Sequence, residues 1–265
     1  MKVAVYDSGV GGLSILQALI QSLPDLEYLF VSDNAAYPYG TKAEDEVLAR
    51  ANVVVTELID RYSPDALVIA CNTASTVCLP SLRSRFDIPI IGVVPAIKPA
   101  AQESSSKTIG LLATPATIKR AYTQGLIDEF AENCEVIRVG SSRLVDIAEM
   151  KLRGQDVSND ELEAILAPFL SSEGLDALVL ACTHFPLLEN EIAQLFIRKG
   201  KQVSLIDSGQ AIARRLESVI NDVPANSGDV SKTNNMAVFT APVADEGLIK
   251  NLKSFKIDSI EWANI

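Results

Sequence analysis

The chain has 265 residues, 48% of them hydrophobic, and a formal net charge of −11. That is enough apolar material for two compact domains with large buried cores, and it excludes a disordered chain. The negative balance argues against nucleic acid or an anionic membrane as the main partner, so an anionic substrate has to be held by local donors.

The N-terminal run MKVAVYD enters a strand pattern at residues 3–6 without the charged and apolar regions of a signal peptide. No apolar stretch approaches the roughly 20 residues of a membrane-spanning helix. The first strand is followed by Asp7-Ser8-Gly9-Val10-Gly11-Gly12 and a helical pattern over 13–23. Glycines let backbone N–H groups approach a ligand, and the helix adds a positive N-terminal end, so this loop reads as a cradle for a carboxylate or phosphate. It is not a dinucleotide fingerprint, because the third glycine of that pattern falls at Ser14. A second strand at 28–31 leads to the turn Tyr37-Pro38-Tyr39-Gly40-Thr41, expected beside the first loop, where backbone donors at Tyr39 and Gly40 complete an anion site. A helix over 44–62 and strands at 67–70 and 90–93 come next. Residues 95–107, with two prolines and three consecutive serines, read as a crossover between domains.

Further strands are expected at 109–113, 135–139, 178–181 and 203–206, with a helix over 144–152. Asp207-Ser208-Gly209 echoes Asp7-Ser8-Gly9 and reads first as a helix start. The polar stretch 221–235 reads as a long loop, followed by a strand at 236–240 and a helix over 246–255. Strand and helix patterns that alternate in this way make an α/β fold of βαβ units with mostly parallel sheets.

The strongest signal is a near-repeat. Asp65-Ala-Leu-Val-Ile-Ala-Cys71-Asn-Thr73 recurs as Asp176-Ala-Leu-Val-Leu-Ala-Cys182-Thr-His184. Each copy is a buried-strand run that stops at a thiol, and ligands in open α/β sheets bind beyond the carboxyl ends of strands. Two thiols at matched positions suit a reaction needing a pair of equivalent acid/base groups. Each is expected to be acidified by the helix after it and supplied with hydrogen bonds by Thr73 or Thr183. Cys78 and Cys134 lie at no strand end and read as core filling. With a single His and no CxxC, neither a metal site nor a dithiol redox centre is expected. A Cys–His hydrolase remains an alternative, although His184 lies only two residues from Cys182 where the base usually comes from elsewhere in the chain. For His184, catalytic and structural roles stand level. Four cysteines without a dense framework suit a reducing cytoplasm.

The stretches DSGVGGLS (7–14), PYGTK (38–42), ACNTAS (70–75), IPIIGVVPA (88–96), GLLATPAT (110–117) and ACTHFPLL (181–188) are together similar to the glutamate racemases of the cofactor-independent aspartate/glutamate racemase superfamily. Departures such as Ala4 and Ser32, where that family commonly has Gly, lie away from the proposed chemistry. The resemblance implies interconversion of L- and D-glutamate without a cofactor, supplying D-glutamate for peptidoglycan. It implies two similar α/β domains, residues 1–94 plus 207–265 and residues 95–206, with the active site in the cleft between them and hinges near Pro95 and Asp207. Cys71 and Cys182 match the two bases, Asp7 the carboxylate near the first, His184 the imidazole near the second, and Glu149 an assisting acid. Asp7 and Ser8, Tyr39 and Gly40, Asn72 and Thr73, Thr183 and His184, and Thr114 and Thr117 match substrate-binding positions. A homodimer and activation by a peptidoglycan precursor are compatible with the resemblance; the N-terminal extension of activator-dependent members is not seen ahead of Met1. Aspartate or hydantoin-type racemisation, or a non-catalytic binding or inhibitor role on the same fold, are the competing readings.

Overall fold

The computed structural model describes residues 1–220 and 234–265. The chain divides into two compact units, Met1–Val93 with Gly209–Ile265, and Val94–Ser208. The first begins β1 (Lys2–Asp7), α1 (Leu13–Ser22), β2 (Glu27–Ser32), α2 (Glu44–Tyr62), β3 (Ala66–Ile69), α3 (Asn72–Arg85) and β4 (Ile90–Gly92). The second holds α4 (Ile97–Glu103), β5 (Thr108–Ala113), α5 (Pro115–Lys119), α6 (Ala121–Phe130), β6 (Glu135–Gly140), α7 (Arg143–Leu152), α8 (Asn159–Ser171), β7 (Ala177–Leu180), α9 (Glu189–Arg198) and β8 (Ser204–Ile206). The chain then returns to the first unit with α10 (Gly209–Ile220), β9 (Met236–Phe239), α11 (Glu246–Leu252) and β10 (Ser259–Trp262).

In the first unit six strands among the described residues lie in the order β10-β9-β2-β1-β3-β4, every pairing parallel. β1 and β3 are buried along almost their whole length, which is why their sequences are continuous apolar runs rather than alternating ones. Helix α2 shows how sequence sets a helix here. Glu44, Asp45 and Glu46 occupy its first turn and Arg61 its last, each complementing the helix dipole. Val47, Ala51, Val54, Val55 and Leu58 recur at helical spacing and form its buried stripe, and Ser63 ends it in the left-handed region at φ 46°. Asn235 ties β2, β9 and β10 together: its side chain accepts from the Tyr28 N–H at 2.9 Å and donates to the Lys256 carbonyl at 3.0 Å.

In the second unit the order is β6-β5-β7-β8, again all parallel. Both sheets therefore share one topology. A first strand sends the chain to one side, the third strand pairs on its other side, and the fourth continues outward. The outward paths diverge between β1 and β3 in one sheet and between β5 and β7 in the other, and ligands bind at such switch points.

Some expectations need correction. The stretch 95–107 is not a bare crossover: α4 lies inside it, and Ile97, Ala100 and Ala101 pack in the same cluster as Ile109, Leu111 and Ala113. Pro99 is accommodated because the N–H groups of a helix's first turn have no intrahelical partner. The helix expected over 246–255 ends at Leu252 and continues as a 3₁₀ turn, Lys253–Phe255. Strand β10 is an addition to the elements expected from sequence. Of the loop expected at 221–235, residues 221–233 lie outside the described residues. Asp207-Ser208-Gly209 does open a helix, and the Ser208 hydroxyl donates to the Val94 carbonyl at 2.6 Å.

Candidate active site

At the β1/β3 switch point Cys71 stands two residues past β3 and is the N-cap of α3. Its sulfur accepts from the Ala74 N–H at 3.5 Å and lies 3.6 Å from the Ser8 hydroxyl. A sulfur at this place faces the positive end of a fourteen-residue helix, a setting that favours thiolate. Asp7 ends β1, fully buried, and its Oδ1 accepts from the Gly9 N–H at 2.8 Å. Gly12 has a packing reason to be glycine. A Cβ there would fall 2.7 Å from the Asp7 Cβ and 3.1 Å from the Ala70 Cβ. Asn72 and Thr73 form the buried first turn of α3, and Asn72 Oδ1 is buried with no hydrogen-bond partner among the described residues. Such an orphan acceptor costs on the order of 1–3 kcal/mol unless a ligand supplies a donor.

In the Tyr39-Gly40 turn the Tyr39 side chain points into the core: its hydroxyl donates to Asp33 Oδ2 at 2.5 Å and meets the Tyr6 hydroxyl. Asp33 also receives Arg50 at 2.7 and 2.9 Å and the Thr240 hydroxyl at 2.7 Å. Burial above all, with the Asp33 charge added, pushes the Tyr6 and Tyr39 hydroxyls well above the ordinary tyrosine value. Only the backbone of this turn is then left for a ligand. Tyr39 and Gly40 open a 3₁₀ turn, whose first N–H groups have no internal acceptor.

At the β5/β7 switch point Cys182 stands two residues past β7. The two cysteines are matched by backbone register as well as by sequence. The Ala70 N–H donates to the Tyr6 carbonyl at 2.8 Å, and the Ala181 N–H to the Leu112 carbonyl at 2.8 Å. One step further, Asp33 N–H reaches the Asp7 carbonyl and Ser141 N–H the Ala113 carbonyl, both at 2.9 Å. In this register Asp7 corresponds to Ala113, and His184 to Thr73. At these positions each half carries an ionisable residue, Asp7 or His184, that the other lacks.

The surroundings of Cys182 also correct the expectation of a helix dipole. Cys182 leads into a 3₁₀ turn, Phe185–Leu188, and α9 starts only at Glu189. An imidazole takes the place of the dipole. His184 Nδ1 lies 3.9 Å from the Cys182 sulfur, and Nε2 lies 2.9 Å from Glu149 Oε1 on α7. Burial works against the imidazolium, but the Cys182 sulfur and the Glu149 carboxylate outweigh it, and the pKa of His184 is pushed up to about 10. Burial pushes Glu149 up, yet its hydrogen bonds and charge contacts with His184 and Arg153 hold it below the usual carboxylate value. Thr114 caps α5, its Oγ1 accepting from the Thr117 N–H at 3.4 Å and lying 3.0 Å from Thr117 Oγ1. Thr183 is buried beside Cys182.

The structure therefore collects Asp7, Ser8, Cys71, Asn72 and Thr73 at one switch point and Glu149, Cys182, Thr183 and His184 at the other. Thr114 and Thr117 lie at the end of β5, and Tyr39 and Gly40 beyond the end of β2. Arg153 and Arg50, which grip Glu149 and Asp33, carry no motif that marks them in the sequence. None of the four cysteines is in a disulfide. Among the described residues there is no metal-ligand cluster, and no helix is long and apolar enough to cross a membrane.

Comparison with known proteins identifies the family. Residues 11–216 match the family model of the Asp/Glu/Hydantoin racemases. A glutamate racemase of Vibrio vulnificus (strain YJ016) is 46% identical over 261 residues, 98% of this chain and 96% of its own length. One of Vibrio cholerae is 51% identical over 219 residues, 83% of this chain and 80% of its own. Among solved structures, Escherichia coli glutamate racemase in complex with L-glutamate and the activator UDP-MurNAc-Ala superposes with a TM-score of 0.92 at 43% identity, covering 98% of this chain and 97% of that one. The Thermus thermophilus enzyme does so at 0.80 and 27% identity, covering 99% and 96%.

Proposed function

The chain belongs to the Asp/Glu/hydantoin racemase family, and from that premise we propose that Cys71 and Cys182 are the two bases of its reaction. The reaction is racemisation of glutamate, an isomerisation that supplies D-glutamate for peptidoglycan. The observation that carries the two-base reading is the register match: two thiols at equivalent points of two like sheets, Cys71 beside the Ser8 hydroxyl and Cys182 beside the His184 imidazole.

In one direction the Cys71 thiolate takes the α-proton, the C–H electron pair stays on the α-carbon, and the Cys182 thiol returns a proton to the other face. The sulfur that received the proton ends as thiol and the donor as thiolate, so the reverse reaction begins with the roles exchanged. No cofactor enters this balance. The amides of Tyr39 and Gly40 hold the distal carboxylate, and Ser8, Thr73, Thr114, Thr117 and Thr183 supply hydroxyl and amide donors for the α-carboxylate, where carbanion charge accumulates. The buried Asn72 Oδ1 receives a donor from the substrate ammonium, which Asp7 also attracts. His184, charged and tied to Glu149, stabilises the Cys182 thiolate. We place the reaction in the cytoplasm, consistent with four unbridged thiols. The muramyl-alanine nucleotide bound by the E. coli enzyme is the proposed activator class.

Circular dichroism of L- and of D-glutamate, then of aspartate, without added cofactor, tests this. Cys71→Ala and Cys182→Ala should each lose at least about a thousandfold in kcat. Losses below about tenfold in both variants, or aspartate turned over as well as glutamate, would sink the reading.

A further inference from the structure

Glu149 is gripped from two sides. One oxygen faces His184; the other accepts from Arg153 at 2.6 Å, and the same guanidinium nitrogen donates to the Glu149 carbonyl at 2.8 Å. The two residues are i and i+4 on the last turn of α7, and Arg153 is its C-cap. A buried carboxylate can lower its desolvation cost by taking a proton. If Glu149 did so, His184 would lose its counter-charge and the contact that aims its ring at Cys182.

We propose that Arg153 is a positioning residue of the Cys182 half-site, keeping Glu149 ionised and aimed at His184 as the medium becomes acidic. The inference rests on the two-thiol reading above. Among the described contacts, Glu149 meets His184, with Cys182 behind it, from the β7 loop, and Arg153 from its own helix. Neighbouring charges are turned elsewhere. Lys151 donates to the Leu187 carbonyl at 2.7 Å and to Glu191 at 2.8 Å, and Glu189 faces Asp207. Arg153 is 33% exposed, so solvent screens it, and its lowering of Glu149 is weaker than that of a fully buried opposite charge in the same contact.

His184 is the single histidine of the chain, so its ring resonances are assigned without ambiguity. In the full-length protein those resonances report ionisation of Glu149 as an inflection at acidic pH. Arg153→Met should move that inflection up by about one pH unit, and the acid limb of kcat should move with it. KM for glutamate should change by less than about threefold, and Arg153→Lys should restore most of the shift. Arg153→Gln carries the same expectation and covers the case in which the Met variant does not fold. An unmoved inflection, or a fall in kcat without displacement of the pH profile, would show Arg153 to be only a helix cap. Wild-type protein that does not racemise glutamate would instead overturn the reading underneath.

Discussion

Replacing Glu149 by Gln tests whether His184 is held as an imidazolium. Gln keeps the shape and an acceptor for Nε2 but removes the charge 2.9 Å from the ring. Two unit charges at that range are worth about 6 kcal/mol at an effective dielectric of 20, and the retained hydrogen bond with relaxation of the site returns about half of it. A net loss of about 3 kcal/mol corresponds to about two pH units, which takes His184 from about 10 to about 8. The folded pKa of His184 is raised above its unfolded value near 6.5, so its contribution to stability is complete below 6.5 and disappears as pH rises through the folded pKa. In wild type that loss runs to about 10, and in Glu149→Gln it ends near 8. The stability gap between the two proteins should therefore be a plateau of about 3 kcal/mol between roughly pH 5 and 8 and should close by about pH 10. Urea unfolding at pH 6, 8 and 10, with NMR titration of the single histidine, measures both quantities. A wild-type ring that titrates near 6.5, or the same midpoint in both proteins, would refute the ion-pair argument.

The two unlike helpers and the packing around them lead to other expectations. His184→Asn should lower kcat for one enantiomer of glutamate more than for the other, and Asp7→Asn should do the reverse; equal depression of both directions by both variants would remove the assignment of helpers to separate thiols. Gly12→Ala places a methyl 2.7 Å from the Asp7 Cβ and should cost about 2 kcal/mol in urea unfolding, with kcat falling as Asp7 is displaced; an unaffected protein would mean the loop yields freely. Tyr39→Phe removes the hydroxyl that anchors the Tyr39-Gly40 turn to Asp33, so KM for glutamate should rise by about tenfold with kcat changed little, and steady-state kinetics with both enantiomers decides it.

The parallel sheets were legible because central strands such as β3 and β7 are buried on both faces and leave continuous apolar runs. β10 left no such trace: Ser259 and Trp262 are exposed on an edge strand, and nothing in four mixed residues separates it from a loop. The cysteines were legible because the strands that carry them repeat. So were their unlike neighbours, Asn72-Thr73 and Thr183-His184, but the unlike local structure that follows each thiol was not. Pro186 sits in a 3₁₀ turn where Ser75 continues α3 in the first unit, so similar strands lead into different local structure. Arg153 was invisible for a further reason. An acid and a base four apart on a helix are an ordinary surface pair in sequence, and only the burial of Glu149 against His184 gives this pair consequence.

That asymmetry has to be reconciled with a reaction whose equilibrium constant is one. At any pH kcat/KM must be equal for the two enantiomers, because their ratio is the equilibrium constant. A helper that stabilises one thiolate therefore cannot favour either direction in kcat/KM. What it can set is the resting state: whether the free enzyme carries its charge on Cys71, capped by the α3 N-terminus, or on Cys182, paired with His184. The form that predominates binds one enantiomer ready for proton removal, with lower KM and lower kcat, and the minor form gives its partner the opposite pair of values. The fully buried imidazolium, charged up to about pH 10, is the stronger of the two devices. The imidazolium beside the Cys182 sulfur should make that sulfur the more reactive one, so iodoacetamide should alkylate Cys182 faster than Cys71 at neutral pH, by about tenfold or more. Mass mapping of the modified thiols measures that ratio. Faster labelling of Cys71 would mean that the helix N-terminus, not the histidine, governs where the charge rests.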